Sequence, residues 1–307
     1  MVPSRFPVLA ALCASFFFIC SSASAQQPAE PPTEPQADSP QSAAGTPPNL
    51  EIDQMLVNLP TTLGLKRHKS YFRITHRFAR DLRRGTFGQL AEDLFSLDNG
   101  AVIGLEYRFG ISDSLQAGVT RSILGKTIVL FGRWDALRQR DGRPFGLSIT
   151  PSVEGQNNLR VDPQPGISAT LSHVQGTRLA LYVTPAFVRD AHTPTLRVGH
   201  GDHEHEAGDE HDDADAIPGE DKNDTAFVGL GLRLRVLETM SVVAEVSPRI
   251  YGYRPDRAAW NVGVEKLTRG HVLQLNFGNT FGTTPGQIAR GGSTHDVYLG
   301  FNLSRKF

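Results

Sequence analysis

Residues Asp296 to Phe307 read D-V-Y-L-G-F-N-L-S-R-K-F, and this stretch decides the fold class. Val297, Leu299, Phe301, Leu303 and Phe307 share one parity, while Asp296, Tyr298, Gly300, Asn302, Ser304 and Lys306 share the other. Successive side chains of a strand point to opposite faces, so this is a strand with one apolar and one polar side. Two settings suit it: the edge of a soluble sandwich, or the wall of a barrel in lipid. The remainder of the chain discriminates between them.

At the other end, Arg5 precedes an apolar run from Val8 to Ile19, and Ala23-Ser24-Ala25 has the small-x-small form of a signal-peptidase site. That is a secretory signal over residues 1–25, too short for a membrane-spanning helix. Cleavage is expected near Ala25. Cys13 and Cys20 lie inside the removed segment, and neither follows the small residue that a lipoprotein site needs. The exported chain is therefore expected to lack cysteine, which excludes disulfides, thiol nucleophiles and cysteine metal sites. In an exported protein, a terminal strand closing on Phe resembles the assembly signal of bacterial outer-membrane barrels. Phe301, Leu303 and Phe307 carry that resemblance. It implies the outer membrane as location, with its lipid and the barrel-assembly machinery as partners.

Residues 26–50 are rich in Pro, Ala, Gln and Glu without a hydrophobic period. They read as a disordered periplasmic lead. Residues 51–307 form one domain. No stretch of it is apolar enough for long enough to cross a bilayer as a helix. Any membrane form must then be a closed barrel, which alone satisfies every backbone polar group of a sheet in lipid.

Period-2 segments recur throughout that domain. Phe72, Ile74 and Phe78 alternate with Arg73, Thr75 and Arg77; Ile103, Leu105, Tyr107 and Phe109 with Gly104, Glu106 and Arg108. Later, Val228, Leu230, Leu232 and Leu234 oppose Gly229, Gly231, Arg233 and Arg235. The count comes to about twelve strands, with the parity of residues 126–134 unclear. Tight connections alternate with long ones, apart from the short one near Ser122, as in a transmembrane barrel and without reason in a sandwich. The reading is all-β: a closed antiparallel transmembrane β-barrel of about 12 strands.

The block His76-Arg77-Phe78, then Leu94-Phe95-Ser96-Leu97-Asp98, Gly104-Leu105-Glu106-Tyr107, Asp113-Ser114-Leu115, Arg121-Ser122 and Lys126-Thr127 carries a family resemblance. It resembles the bacterial barrel family catalogued as domain of unknown function 5777. Ala79 stands where that pattern has Gly. The resemblance implies an outer-membrane barrel and transfers no site.

Charge is unevenly placed. From His200 to Asp224 there are eleven acids and one Lys, which leaves 21 acids against 30 bases elsewhere. On the parity above, Arg73, Arg77, Arg108, Arg233 and Arg235 face the lumen. An open lumen of that kind favours anions. The competing reading is equally physical, with the same arginines pairing with Glu106, Glu245 and Glu265 to fill a small barrel. A channel for small polar solutes, with a preference for anions if the lumen is open, stands beside a non-conducting scaffold.

The loop 189–223 is expected to be external. Its His200, His203, His205 and His211, among many carboxylates, suit weak and unselective Zn, Ni or Cu binding. A solvated acidic loop is the bland alternative, and no other cofactor is expected. A lipid hydrolase is a remote reading, resting on His76 and His295 near Ser122, Ser293 and Thr294. No phosphate loop or nucleic-acid platform is present, so no nucleic-acid partner is expected.

Overall fold

The computed structural model describes residues 50–92, 100–139, 143–191, 223–252 and 257–307. The residues from Ser70 onward build the wall. Its strands are β1 (Ser70–Phe78), β2 (Ala101–Gly110), β3 (Leu115–Ser122), β4 (Thr127–Leu137), β5 (Gly146–Gly155), β6 (Val161–Gln175), β7 (Leu179–Ala191) and β8 (Asn223–Leu237). Then follow β9 (Met240–Ser247), β10 (Ala259–Leu267), β11 (His271–Gly278) and β12 (Tyr298–Lys306). Pro248 interrupts the ninth strand, and its continuation Arg249–Tyr251 pairs back onto β8 through a bulge. Each strand is antiparallel to the next, and β12 pairs with β1 from Arg77↔Gly300 to Tyr71↔Lys306. The sheet closes on itself with twelve strands, as the periodicity predicts.

The wall is inside-out relative to a soluble protein. Outward positions carry Leu105, Leu130, Trp134, Leu181, Leu230 and Leu273, all exposed. Inward positions carry Arg73, Glu106, Arg108, Arg133, Glu154, Arg233, Glu245 and Glu265, all buried. Only lipid makes that arrangement favourable, because the outward side chains find no protein partner. Phe301 and Phe307 are exposed on this outer surface, and Leu303 is half-buried on it.

Loop lengths alternate as expected. The turns after β2, β4, β6, β8 and β10 are short and lie at the end where β1 begins and β12 finishes. Gly176 (φ 59°) and Gly270 (φ 87°) supply the left-handed backbone in two of them. At the opposite end the connections after β1, β7, β9 and β11 are longer, whereas those after β3 (123–126) and β5 (156–160) are short, the latter because β6 starts at Val161 and takes up part of the expected 155–165 loop.

Candidate functional site

The lumen is occupied by the chain's own residues. Ahead of β1, residues 53–61 form a hairpin: Leu56 N–H donates to Leu59 O (2.7 Å), Thr61 N–H to Gln54 O (2.9 Å), and Met55 bridges Pro60. Asp53 to Leu59 are all buried, with Leu56 and Val57 fully so. This was not foreseen, because D-Q-M-L-V-N-L-P has neither period and reads only as the beginning of the domain.

The barrel grips this hairpin through its backbone. At the tip, Val57, Asn58 and Leu59 donate their N–H groups to the Glu245 carboxylate at 3.1, 2.9 and 3.0 Å. The carbonyls on the other side are met by cations and amides. Arg73 Nη2 donates to Val57 O (2.6 Å) and Leu56 O (3.2 Å), Gln274 Nε2 to Leu56 O (3.2 Å), and Arg233 Nη2 to Met55 O (3.1 Å). Side chains add Arg77 Nη2 to Asn58 Oδ1 (3.0 Å), Arg108 Nη1 to Gln54 Oε1 (3.1 Å) and Ser304 Oγ to Asp53 Oδ2 (3.0 Å). A buried backbone must find partners, and this wall supplies them in place of water.

Two glycines make the room. A Cβ at Gly231 would lie 2.3 Å from Leu56 Cδ1, and one at Gly229 would lie 2.6 Å from Leu59 Cδ2. The inward positions of β8 are thus empty of side chain where the hairpin leucines fit. Leu56, Val57 and Leu59 join Ala180, Tyr182, Val243 and Phe227 in an apolar cluster inside an otherwise polar lumen.

Of the five arginines expected in the lumen, Arg73, Arg77, Arg108 and Arg233 are buried there. Arg235 shares their inward parity but is only half-buried. It sits at the terminal rim, its Nη1 donating to Thr177 O at 3.1 Å, because β8 ends two residues later. Arg108 pairs with Glu106 (2.6 Å) and Arg233 with Glu265 (2.5 Å). A pair that the sequence reading missed, Arg133 with Asp135 (2.8 Å), is equally buried. Arg73 and Arg77 form no carboxylate ion pair among the described contacts. Their hydrogen-bond partners are the hairpin, the Asn302 side chain and the His76 carbonyl, while the Glu245 carboxylate of the wall attracts both from further off.

The opposite end is narrowed by the turn Pro285–Ala289 between β11 and β12. Thr284 caps it, and Gly286 N–H donates to Glu154 Oε2 at 2.8 Å. Ile288 and Ala289 reach the same apolar cluster as the hairpin.

Other candidate sites fare differently. His200, His203, His205 and His211 lie outside the described residues, as do the expected signal segment and residues 26–49. His76 stacks on Phe301 with ring centroids 4.8 Å apart, His295 is exposed, and Ser293 Oγ donates to Asp296 Oδ2 (2.9 Å). Ser122 is buried in the wall, where its Oγ accepts from Leu124 N–H (3.3 Å). The His295 backbone N–H donates to Ser293 Oγ (3.3 Å), but the described contacts bring no serine hydroxyl to either imidazole.

A family model described as a membrane bound beta barrel domain (DUF5777) matches residues 53–307, from the start of the hairpin to the last residue of the chain. The chain belongs to this family. In DUF5777 terms the hairpin is therefore inside the matched domain, although it is no part of the wall. No curated protein matches the chain. Among solved structures, it is similar to a KdgM porin in complex with disordered oligogalacturonate (8% identity, 78% of this chain and 99% of that one, TM-score 0.44). Others are an outer membrane channel from Pseudomonas putida F1 (12%, 79% and 97%, 0.47) and outer membrane phospholipase A from Escherichia coli (10%, 82% and 97%, 0.39). At such identities and scores, function has to be argued from this chain's own interior.

Proposed function

We propose that this DUF5777 barrel is an outer-membrane channel for small polar solutes, closed at rest by the 53–61 hairpin. The expected signal peptide and terminal assembly strand support that location, with the rim near Ser70 and Lys306 facing the periplasm. The observation that carries the channel reading is the state of Arg73 and Arg77. A scaffold barrel would neutralise its interior within the wall, as the pairs Arg108–Glu106, Arg233–Glu265 and Arg133–Asp135 do. Arg73 and Arg77 instead hold oxygens of a removable segment. Withdrawal of the hairpin uncovers Arg73 and Arg77 together with Glu245, a net positive charge in a narrow tube, which focuses field in favour of anions.

The test compares conductance in planar bilayers for three forms. These are the parent, a deletion of residues 53–61, and the pair Leu59→Cys with Gly229→Cys. Leu59 Cγ lies 3.3 Å from the Cβ position of residue 229. A disulfide places a sulfur about 3 Å from the facing Cβ, so the pair should lock the hairpin. The deletion should conduct steadily with anion preference, and the oxidised pair should be silent until reduced. A folded deletion that fails to conduct, even when the narrowing turn 285–289 is also replaced by a short glycine linker, would establish the scaffold instead.

A further inference from the structure

The wall has two seams at one level. Pairing of β4 with β5 runs to Phe131↔Ser152 and resumes at Trp134↔Ile149 in unchanged register, which sets Gly132 opposite Pro151. Pairing of β6 with β7 runs to Ser168↔Ala186 and resumes at Leu171↔Val183, which sets Ala169 opposite Pro185. Proline has no N–H to give, and within sheets it is ordinarily confined to edges and bulges. Here two prolines stand mid-strand in a lipid-facing wall, where each lost backbone bond is costly. Pro151 pairs across to Ile167, two residues from Ala169, so the seams flank the same stretch of the β5–β6 hairpin. Both prolines are exposed on the outer surface, and nothing lies within 4 Å of a Cβ at Gly132.

Behind that panel lies a chamber of about 80 Å³, between the 53–61 hairpin and the Pro285–Ala289 turn. A single water needs roughly 10–15 Å³, so the chamber holds more than one. Its wall residues come largely from either side of the two seams, including Phe131, Thr150, Ser168 and Ala186. Asn58 and Thr283 also line it, and Asn58 Nδ2 and Thr283 Oγ1 are buried without a hydrogen-bond partner. Both aqueous ends of the chamber are obstructed by well-bonded segments, whereas its side is the part of the barrel with broken ladders.

We propose that the β5–β6 hairpin is a lateral door between this chamber and the bilayer. The ligand it admits is a small amphipathic molecule that dissolves in lipid, its polar group meeting Asn58 and Thr283 and its apolar body meeting Phe131. This stands apart from the gated channel, since it requires the hairpin to stay docked.

The test uses the full chain in liposomes, with Cys13 and Cys20 in the segment read as removed. Ala186→Cys places a thiol in the chamber, and Val183→Cys places one on the outer face. N-dodecylmaleimide partitions into lipid, whereas trimethylammonium-ethyl methanethiosulfonate stays in water. The lipid reagent should modify the A186C thiol, and adding Pro151→Ala with Pro185→Ala should slow it about tenfold, the population change expected from one or two restored backbone hydrogen bonds. The V183C thiol should be indifferent to those substitutions. Ethanol, an amphipath small enough for the chamber, should protect the A186C thiol and leave V183C exposed. Heat-modifiable gel mobility checks folding, and slower amide exchange across β5 and β6 gives a second reading of the restored bonds. Modification unaffected by the prolines, or seen only with the water-soluble reagent, would overturn the door. Absence of ethanol protection would overturn the ligand assignment.

Discussion

Glu245 is the residue on which the closed state most depends. Its two oxygens accept three consecutive N–H groups from the hairpin tip, and Oε1 also accepts from Asn261 Nδ2 (3.0 Å). A hydrogen bond to a charged group contributes about 1.5–3 kcal/mol. Three that share one carboxylate do not add in full, and the cost of burying the charge offsets part of them. Removing one partner of a buried charged cluster typically costs about 3–5 kcal/mol, and we expect Glu245→Ala to weaken docking by that much. With about 1.4 kcal/mol per tenfold, the undocked fraction rises between about a hundredfold and several thousandfold. Glu245→Gln keeps the shape and one acceptor, so its effect should fall between the two. Open probability in planar bilayers reads the change directly. A thiol at Val57→Cys, fully buried in the docked hairpin, reads it independently through labelling by a water-soluble reagent. If folded E245A matches its parent in both measurements, the hairpin is not held as argued.

Three further expectations follow from the same structure. Gly231→Leu should expel the hairpin, and Leu56→Ala should partly restore closure in the double variant, as seen in conductance; equal behaviour of single and double variants would refute the packing argument. Leu130→Arg on the outer face should destabilise the barrel by about 2–4 kcal/mol if that position lies near mid-bilayer, measured by urea unfolding in liposomes. Deleting residues 200–215 should leave folding intact and abolish weak Zn or Ni uptake, and in the parent that uptake should fall between about pH 7 and pH 5 as histidine protonates; calorimetric titration of both forms checks it.

The wall was legible because its signal repeats. A period of two, sustained over strand after strand, gives the parity of Arg73, Arg77, Arg108 and Arg233 without any structure. Where the pattern is locally broken, the reading failed. Val129 and Phe131 are apolar yet face inward on β4, which hid the parity that would have revealed Arg133 and Asp135. Phe131 lies under Arg108, with the guanidinium 5.0 Å from its ring. The hairpin escaped notice because a single turn gripped from outside needs no periodicity of its own. Its trace was in the receptor surface: Gly229 and Gly231 leave inward positions of β8 bare, and a bare position in a packed tube means that another segment fills it. Prolines 151 and 185 were equally visible, but their partners across the ladder were not.

The carboxylate that captures the hairpin lies 186 to 188 residues further along the chain than the groups it binds. Contacts of such sequence separation form late, after the intervening chain is ordered. The seam between β1 and β12 joins residues further apart still, Tyr71 with Lys306, so stopper and seam are both set at the end of assembly. On the channel reading proposed above, a barrel whose seam closes before the hairpin docks is an open hole, so the order of those two last steps sets how leaky the membrane becomes during synthesis.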